Sequence, residues 1–442
     1  MIGPSLLVLS LLTSPAKPVP DTEAREWLRW CVPLPRHAAI QGKVVVPARS
    51  VRVEFPQPPT DLDRATAADL SRLLPGGAPT AFFIRFERPG RLPASIADAP
   101  NRDQAYAVEP VRAPDGAPLG LRCVAETDVG TRYAALTLKQ LLTPRRKGRG
   151  NAATVEIPLL RVADWPDLEE RGEWGGTAAA DLEWMAERKM NLIEAHAALT
   201  VDAQGAGHAK MDPMLLHRAR QNAVRIVPII HHLEQIADSG IFRVYPQLKA
   251  VGAEGSICFS RAEIVDLLAQ WLKDLAQTPG VFDVMVWLSE EGKGCACPEC
   301  AKEDRFVKET RACLAAWERV RHTHPRLGLR LLTTQASYPS NAKVLAVLPE
   351  GVKVSYYHGS LTYDTSRRPM IYPLLEEYAR AGRWLGVYPT VSANWLVVAP
   401  FTNPAFVHTR LNEFVAKRLR CLVAYAVPAN AYYRANVEGA AE

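Results

Sequence analysis

Two adjacent acidic residues, Glu290 and Glu291, stand at the end of an apolar run that begins at Val281. A buried strand that ends in carboxylates delivers them to the C-terminal face of a parallel β/α barrel, where such barrels carry their catalytic residues. Neighbouring carboxylates repel each other, which favours one of them staying protonated near neutral pH. This pattern predicts a hydrolase. The alternative is a solvated pair at the start of a loop, because successive strand side chains point to opposite faces.

Three cysteines follow the acids in the pattern C-x-C-x-x-C, at Cys295, Cys297 and Cys300, and Cys258 precedes the helix that leads into the same strand. If the four meet on one barrel face, they can hold zinc in a tetrahedral thiolate site. Four sulfur ligands leave no open position, so this zinc would be structural. Two disulfide bonds, which export would favour, and four free thiols are the alternatives. No cofactor is expected for catalysis.

The elements that must position these residues are eight short apolar segments, which alternate with helical segments from about Trp165 onwards. Eight strands alternating with helices are typical of a closed (β/α)₈ barrel. A doubly wound open sheet is the alternative, but no glycine-rich phosphate motif follows an early strand. The predicted strands are 169–175, 191–199, 225–231, 281–289, 327–334, 352–357, 383–388 and 421–427.

The sequence before the barrel predicts a smaller α+β domain, because strand patterns are grouped there with helical spacing at 65–74 and 129–142. We therefore divide the chain into an α+β domain at 21–160 and a barrel at 161–442, whose last helix we expect to be incomplete. Residues 1–20 contain an apolar stretch of signal-peptide length without a basic n-region, and they predict export to the periplasm or the extracellular space.

Composition limits the partners that this chain is expected to have. The 442 residues carry a formal charge of only +6, and the basic group at 145–149 indicates a solvated loop more than a nucleic-acid surface. The apolar leader is too short to cross a bilayer, and no other segment has that length. We expect no nucleic-acid partner and no membrane span. The oligomeric state is left open.

Four residues near predicted strand ends are candidate contacts of a carbohydrate. His196 ends the second strand, Tyr357 the sixth and Tyr388 the seventh, and Trp395 follows the seventh. Sugar rings stack their C–H faces on aromatic rings, and tyrosine hydroxyls can hydrogen-bond to sugar hydroxyls. An ordinary core role is the alternative for each residue.

Three segments resemble the family 20 glycoside hydrolases, the β-N-acetylhexosaminidases with a zincin-like N-terminal domain. GTRYAALTLKQLL at 130–142 looks like the last helix of that domain, VADWPDLEERG at 162–172 like the start of the barrel, and KMNLIEAHAAL at 189–199 like a strand that carries a histidine. The resemblance covers the chain from about residue 40. It implies a zincin-like α+β domain, a (β/α)₈ barrel and glycosidase activity.

The resemblance also implies roles for the two acids. The family's fourth strand ends in an Asp-Glu pair, so Glu291 takes the place of the general acid. Glu290 takes the place of the aspartate that holds the substrate's acetamido group as internal nucleophile. Two features depart from the family: the aspartate is replaced by a longer glutamate, and the sugar-binding arginine after the first strand is not evident at 172–177.

These departures keep two other functions open. One is a carbohydrate-binding barrel that has lost catalysis, and the other is an α-glucuronidase-like hydrolase. The cysteine group is not typical of the standard hexosaminidases and resembles an uncharacterised branch near them and near the α-glucuronidases. The sequence thus predicts an exported glycoside hydrolase that acts on an oligosaccharide or glycan, with an N-acetylhexosaminide as the substrate that the family implies.

Overall fold

The computed structural model describes residues 16–291, 293–362, 364, 366, 368–391, 403–425 and 433–442. The chain divides into two compact units, one that extends to Asp167 and also includes Gln221–Ala223 and Glu442, and one formed by Leu168–Arg220 with Val224–Ala441. The sequence-based boundary between 160 and 161 falls inside a strand of the first unit, Thr154–Asp164.

The N-terminal unit is an eight-stranded mixed sheet with helices. Its longest helix, Asp128–Leu142, begins where the Thr127 hydroxyl accepts a hydrogen bond from the Gly130 N–H and ends just before Pro144. The sheet order is Lys17–Pro18, His37–Pro47, Thr154–Asp164, Tyr106–Arg112, Pro118–Ala125, Phe82–Glu87 and Val51–Glu54, with Arg146–Lys147 also paired to Thr154–Asp164. The other α-helices are Asp21–Leu28, Asp61–Ser71 and Ala94–Ala97.

The second unit contains a closed barrel of eight parallel strands, which confirms the predicted fold. The eighth strand pairs in parallel with the first and closes the barrel. We number these barrel strands first to eighth along the chain: Glu170–Trp174, Leu192–His196, Arg225–Ile230, Asp283–Trp287, Gly328–Thr333, Lys353–Tyr356, Leu385–Val387 and Cys421–Tyr425.

Helices lie between the barrel strands. The two longest follow the third and fourth strands, and the second of them begins at the cap Asp304, whose carboxylate accepts from the Phe306 N–H at 3.0 Å. The α-helices are Gly176–Ala180, Leu182–Glu187, Pro213–Gln221, Ile241–Val244, Ala262–Gln277, Arg305–Arg321, Asn341–Ala346, Gly359–Thr362, Pro373–Arg380, Pro404–Ala416 and Tyr433–Ala441. Among the described residues, none of these helices has the length and hydrophobicity of a membrane span.

The second predicted strand is too long, because the chain leaves the barrel after His196. Ala198–Val201 instead pairs with Gly207–Lys210 in an antiparallel hairpin. The Asp202 carboxylate accepts hydrogen bonds from backbone N–H groups on the far side of the turn, and Gly205 has a φ of +89°, which favours glycine. This local turn chemistry stabilises the hairpin that follows the barrel strand.

Each barrel strand is buried on both faces. Leu192, Met285 and Leu332 belong to the cluster inside the barrel, whereas their neighbours Ile193 and Val286 pack in the layer that includes the helices. Strands covered on both sides read as continuous apolar runs, which explains why the sequence showed them as such.

A buried ion cluster lies near the beginnings of four strands, at the N-terminal end of the barrel. Arg330 is fully buried and donates to Glu170 at 2.8 Å and from its Nε to Asp283 at 3.1 Å, and Lys353 reaches Asp283 at 2.8 Å. Burial alone would raise the pKa of Asp283, but the two cations lower it to about 2. The cluster lies at the end of the barrel where side chains contribute to stability, opposite the end where Glu290 and Glu291 are found.

Candidate active site at the barrel mouth

The chain is firmly held just before the two acids. Ser289 is fully buried, and its N–H and hydroxyl both donate to the carboxylate of Glu309, at 3.0 and 2.8 Å. Its carbonyl accepts from the Thr334 hydroxyl at 2.7 Å. Glu309 belongs to the helix that follows the fourth strand and also accepts from Arg305 at 2.9 Å. The positions of Glu290 and Glu291 are therefore set by a strand, a helix and the neighbouring fifth strand.

Glu290 forms an ion pair with a buried histidine. Its Oε2 lies 3.2 Å from Nε2 of His232, whose Nδ1–H donates to the Leu288 carbonyl at 2.8 Å. Burial lowers the pKa of His232, but the hydrogen bonds to Glu290 and to that carbonyl outweigh it, so the pKa is raised overall. His232, held by the Leu288 carbonyl, thus orients the Glu290 carboxylate within the mouth.

Glu291 is exposed, in contrast to the half-buried Glu290. Its backbone carbonyl accepts from the guanidinium of Arg305 at 3.2 Å. The side chains of adjacent residues therefore occupy different environments, one fixed by an imidazole and one open to solvent. An open carboxyl group can meet a substrate atom that arrives from outside the barrel.

Glu234, in the loop after the third strand, holds the backbone of both acids. Its Oε1 accepts the N–H groups of Glu290 and Glu291, each at 3.0 Å. Neither Glu234 nor Glu309 was predicted from the sequence. The signal that could have found Glu234 is an acid two residues after His232, beyond a strand end, where a barrel places functional side chains.

We expect Glu234→Ala to speed hydrogen exchange at the amides of Glu290 and Glu291 by about ten- to hundredfold. The substitution removes two hydrogen bonds to a charged acceptor, each worth about 1.5–3 kcal/mol. Mass spectrometry of deuterated peptides that span these residues measures the effect. Glu234→Gln keeps an oxygen acceptor and serves as the matched control, with protection close to wild type. Equal amide exchange rates in the alanine variant and the wild type would contradict the role of Glu234 in holding the backbone of the two acids.

Five rings form the floor of the mouth and are called the mouth cluster here: Trp174, His196, His231, His232 and Trp287. The two indoles meet edge to face at 5.1 Å between centroids, and the rings of His196 and His231 lie 4.6 Å apart. His196 is exposed to solvent. Partial desolvation of its ring by the surrounding residues, with a contribution from the charges of His231 and His232, lowers the pKa of His196 to about 4. A neutral His196 can donate to one hydroxyl and accept from another.

Tyr388 lies deeper than a surface contact. It is 1% exposed, it packs against Trp287, and its hydroxyl donates to Glu194. Burial raises the pKa of Glu194 to about 7. This acid inside the barrel was likewise not predicted from the sequence. Tyr357 is partly buried against the inner cluster of the barrel. Trp395 lies outside the described residues.

All four predicted cysteines meet beside this mouth. The sulfur atoms of Cys258, Cys295, Cys297 and Cys300 lie within 4.8 Å of one another. Each of the four is a free thiol in the structure. Cys258 comes from the loop after the third strand and the other three from the loop after the fourth.

No protein-family model and no curated protein matches this chain in sequence. Its fold is similar to that of the GH20 exo-β-N-acetylglucosaminidase from Vibrio harveyi in complex with N-acetylglucosamine, with a TM-score of 0.63, 13% identity, and coverage of 97% of this chain and 74% of that one. The fold is also similar to that of the GH20 β-N-acetylhexosaminidase from Streptomyces coelicolor A3(2). The TM-score is 0.59 and the sequence identity 14%, and the match covers 96% of this chain and 92% of that one. For the β-N-acetylhexosaminidase from Bacteroides fragilis NCTC 9343, the TM-score is 0.61 and the sequence identity 14%, and the match covers 92% of this chain and 89% of that one. The chain therefore has the fold of the family 20 β-N-acetylhexosaminidases.

Proposed function

We propose that this protein is a glycoside hydrolase that cleaves N-acetyl-β-hexosaminides from an oligosaccharide or glycan. The observation that carries the proposal is the pair of acids after the fourth strand, with Glu290 bound to His232 and Glu291 open to solvent. Two carboxyl groups in different environments suit two different catalytic roles. The fold shared with β-N-acetylhexosaminidases supports the same substrate class.

The proposed mechanism gives each acid one task. Glu291 donates a proton to the glycosidic oxygen as the bond from that oxygen to the anomeric carbon breaks. Glu290, oriented by His232, accepts the N–H of the substrate's acetamido group and so directs its carbonyl oxygen to the anomeric carbon. The cyclic oxazolinium ion that forms is opened by water, which loses a proton to Glu291. The anomeric configuration is retained because inversion occurs twice.

The mouth cluster supports a saccharide as the ligand. Trp174 is half-buried at the end of the first strand and offers apolar ring surface on which a sugar ring or an acetamido methyl group can pack, and the buried Trp287 supports it edge to face. A neutral His196 offers hydrogen bonds to hydroxyl groups at the rim. We propose that Tyr388 acts indirectly, through Glu194. Export to the periplasm or the extracellular space is likewise a proposal, based on the apolar leader within residues 1–20.

A panel of 4-nitrophenyl glycosides tests this function on the wild-type protein. We expect turnover of the N-acetyl-β-glucosaminide or N-acetyl-β-galactosaminide to exceed that of the β-glucoside by more than about 100-fold, because an oriented internal nucleophile has a large effective molarity. Equal rates with and without the acetamido group would contradict substrate assistance. Turnover of the α-glucuronide alone would favour the uronidase alternative, and glycan binding without any turnover would favour the binding protein.

A further inference from the structure

The four-cysteine cluster of Cys258, Cys295, Cys297 and Cys300 lies outside the proposed catalytic machinery. We propose that these four thiolates bind one zinc ion in a closed tetrahedral site, which fastens the loop after the third barrel strand to the loop after the fourth. The ion would be structural, because four protein ligands leave no position for water or substrate. The inference rests on the geometry of the cysteines and is independent of the proposed function.

The distances between sulfur atoms fit a common metal ion. Zinc–thiolate bonds are about 2.3 Å long, so two ligands of a tetrahedral site lie about 3.8 Å apart. Cys258 Sγ is 3.7 Å from Cys297 Sγ and 3.8 Å from Cys300 Sγ. A disulfide pairs one sulfur with one partner at about 2.05 Å. One sulfur at nearly equal distances from two others favours a shared ion over a disulfide.

Hydrogen-bond donors surround the sulfur atoms. The backbone N–H of Val251 donates to Cys295 Sγ at 3.2 Å, and the N–H of Cys300 donates to Cys297 Sγ at 3.4 Å. The Ser260 hydroxyl lies 2.8 Å from Cys300 Sγ. Donors of this kind orient metal ligands and stabilise the negative charge on sulfur.

Nearby cations fit the charge of such a site. Four thiolates and one Zn²⁺ carry a net charge of about −2. The pocket lined by Cys295 and Cys300 also has three basic side chains and two acidic ones: Lys293, Arg305, Lys308, Glu234 and Glu309. The surplus of one positive charge partly offsets the charge of a tetrathiolate centre, whereas a pair of neutral disulfides would need no such compensation.

Metal analysis of the purified full-length protein tests the site. We expect about one zinc per chain in the wild type and less than about a tenth of that in Cys297→Ala. Cys313→Ala is the matched control, because Cys313 is a buried thiol of the same unit outside the cluster, and it should keep the full zinc content. Equal zinc in both variants would overturn the proposal.

A measurement on the wild type covers the case in which Cys297→Ala fails to fold. Replacing the bound ion with Co²⁺ should give the sulfur-to-metal charge-transfer bands and intense visible bands of a tetrahedral thiolate complex. Removing the ion should speed amide exchange in 248–260 and 293–303 and leave the barrel strands unchanged. Metal-free protein whose mass is lower by the hydrogens of two disulfides, or metal-free protein with four free thiols, would overturn the proposal, as would one bound iron.

Discussion

Glu291→Gln is expected to lower kcat on 4-nitrophenyl N-acetyl-β-glucosaminide by about 10²–10⁴-fold and to leave KM nearly unchanged. An amide has the size and polarity of the carboxyl group but cannot give a proton to the departing oxygen, and general acid catalysis contributes about this factor. Steady-state kinetics measure the effect. Glu254→Gln, at an exposed position in the loop after the third strand, is the control and should retain full activity.

The dependence of the activity loss on the leaving group tests whether Glu291 is the general acid. A 2,4-dinitrophenyl leaving group departs without much help from a proton, so the loss of kcat/KM in Glu291→Gln, which reports cleavage of the glycosidic bond, should shrink by at least about tenfold on that substrate. Glu290→Gln should instead lose activity on both substrates, because Glu290 acts on the acetamido group. Equal losses of kcat/KM with both leaving groups in Glu291→Gln would mean that Glu291 is not the proton donor, even if the protein is a glycosidase; kcat does not decide this, because Glu291 also takes the proton of the attacking water.

The barrel could be predicted from sequence because its signal is local. Each strand is a short apolar run between helical segments, and the order of eight such runs is almost enough to specify the closed fold. Glu290 and Glu291 follow the strand at 283–287, as predicted, since they directly continue an apolar run. The limits of the prediction appear where the chain turns, as at His196, because the hairpin after it depends on the carboxylate of Asp202 and on Gly205.

The contacts that organise the site could not be predicted, because they join residues that are far apart in sequence. Glu234 and Glu290 are separated by a long loop and a helix, and no periodicity links them. The burial of individual side chains could not be predicted from the sequence either. Tyr388 directly follows the seventh strand and was a candidate carbohydrate contact, but its ring packs in the inner cluster of the barrel and its hydroxyl donates to Glu194. Only the folded chain shows which strand-end side chains point outward.

Another buried acid, Glu173 of the first barrel strand, gives the largest expected effect on stability. It is fully buried, and neither of its carboxylate oxygens has a hydrogen-bond partner among the described residues. The strand register aligns it with Ile193 and Ala424, which pack in the apolar layer that includes the helices. Burial in these surroundings, with a smaller contribution from Asp181, raises the pKa of Glu173 to about 8.

A carboxyl group with a raised pKa stabilises the folded state at low pH. The folded protein holds the Glu173 proton more tightly than the unfolded chain, in which the pKa is near 4.5. The contribution is complete below about pH 4.5 and is lost as the pH rises to 8 and beyond. Each pKa unit corresponds to about 1.4 kcal/mol, so the total loss is roughly 3–5 kcal/mol.

Thermal unfolding at a series of pH values should therefore show a different dependence of Tm on pH for Glu173→Gln and the wild type. Between about pH 5 and pH 9, we expect the Tm of the wild-type barrel to fall by several degrees more than that of the variant, because glutamine does not ionise. Other groups with raised pKa values, such as His232 and Glu194, are common to both proteins, so the difference between the two curves isolates Glu173. Glu318→Gln, at an exposed helix position, should follow the wild type. Parallel curves for the wild type and Glu173→Gln would show that Glu173 finds a charge partner in the folded protein.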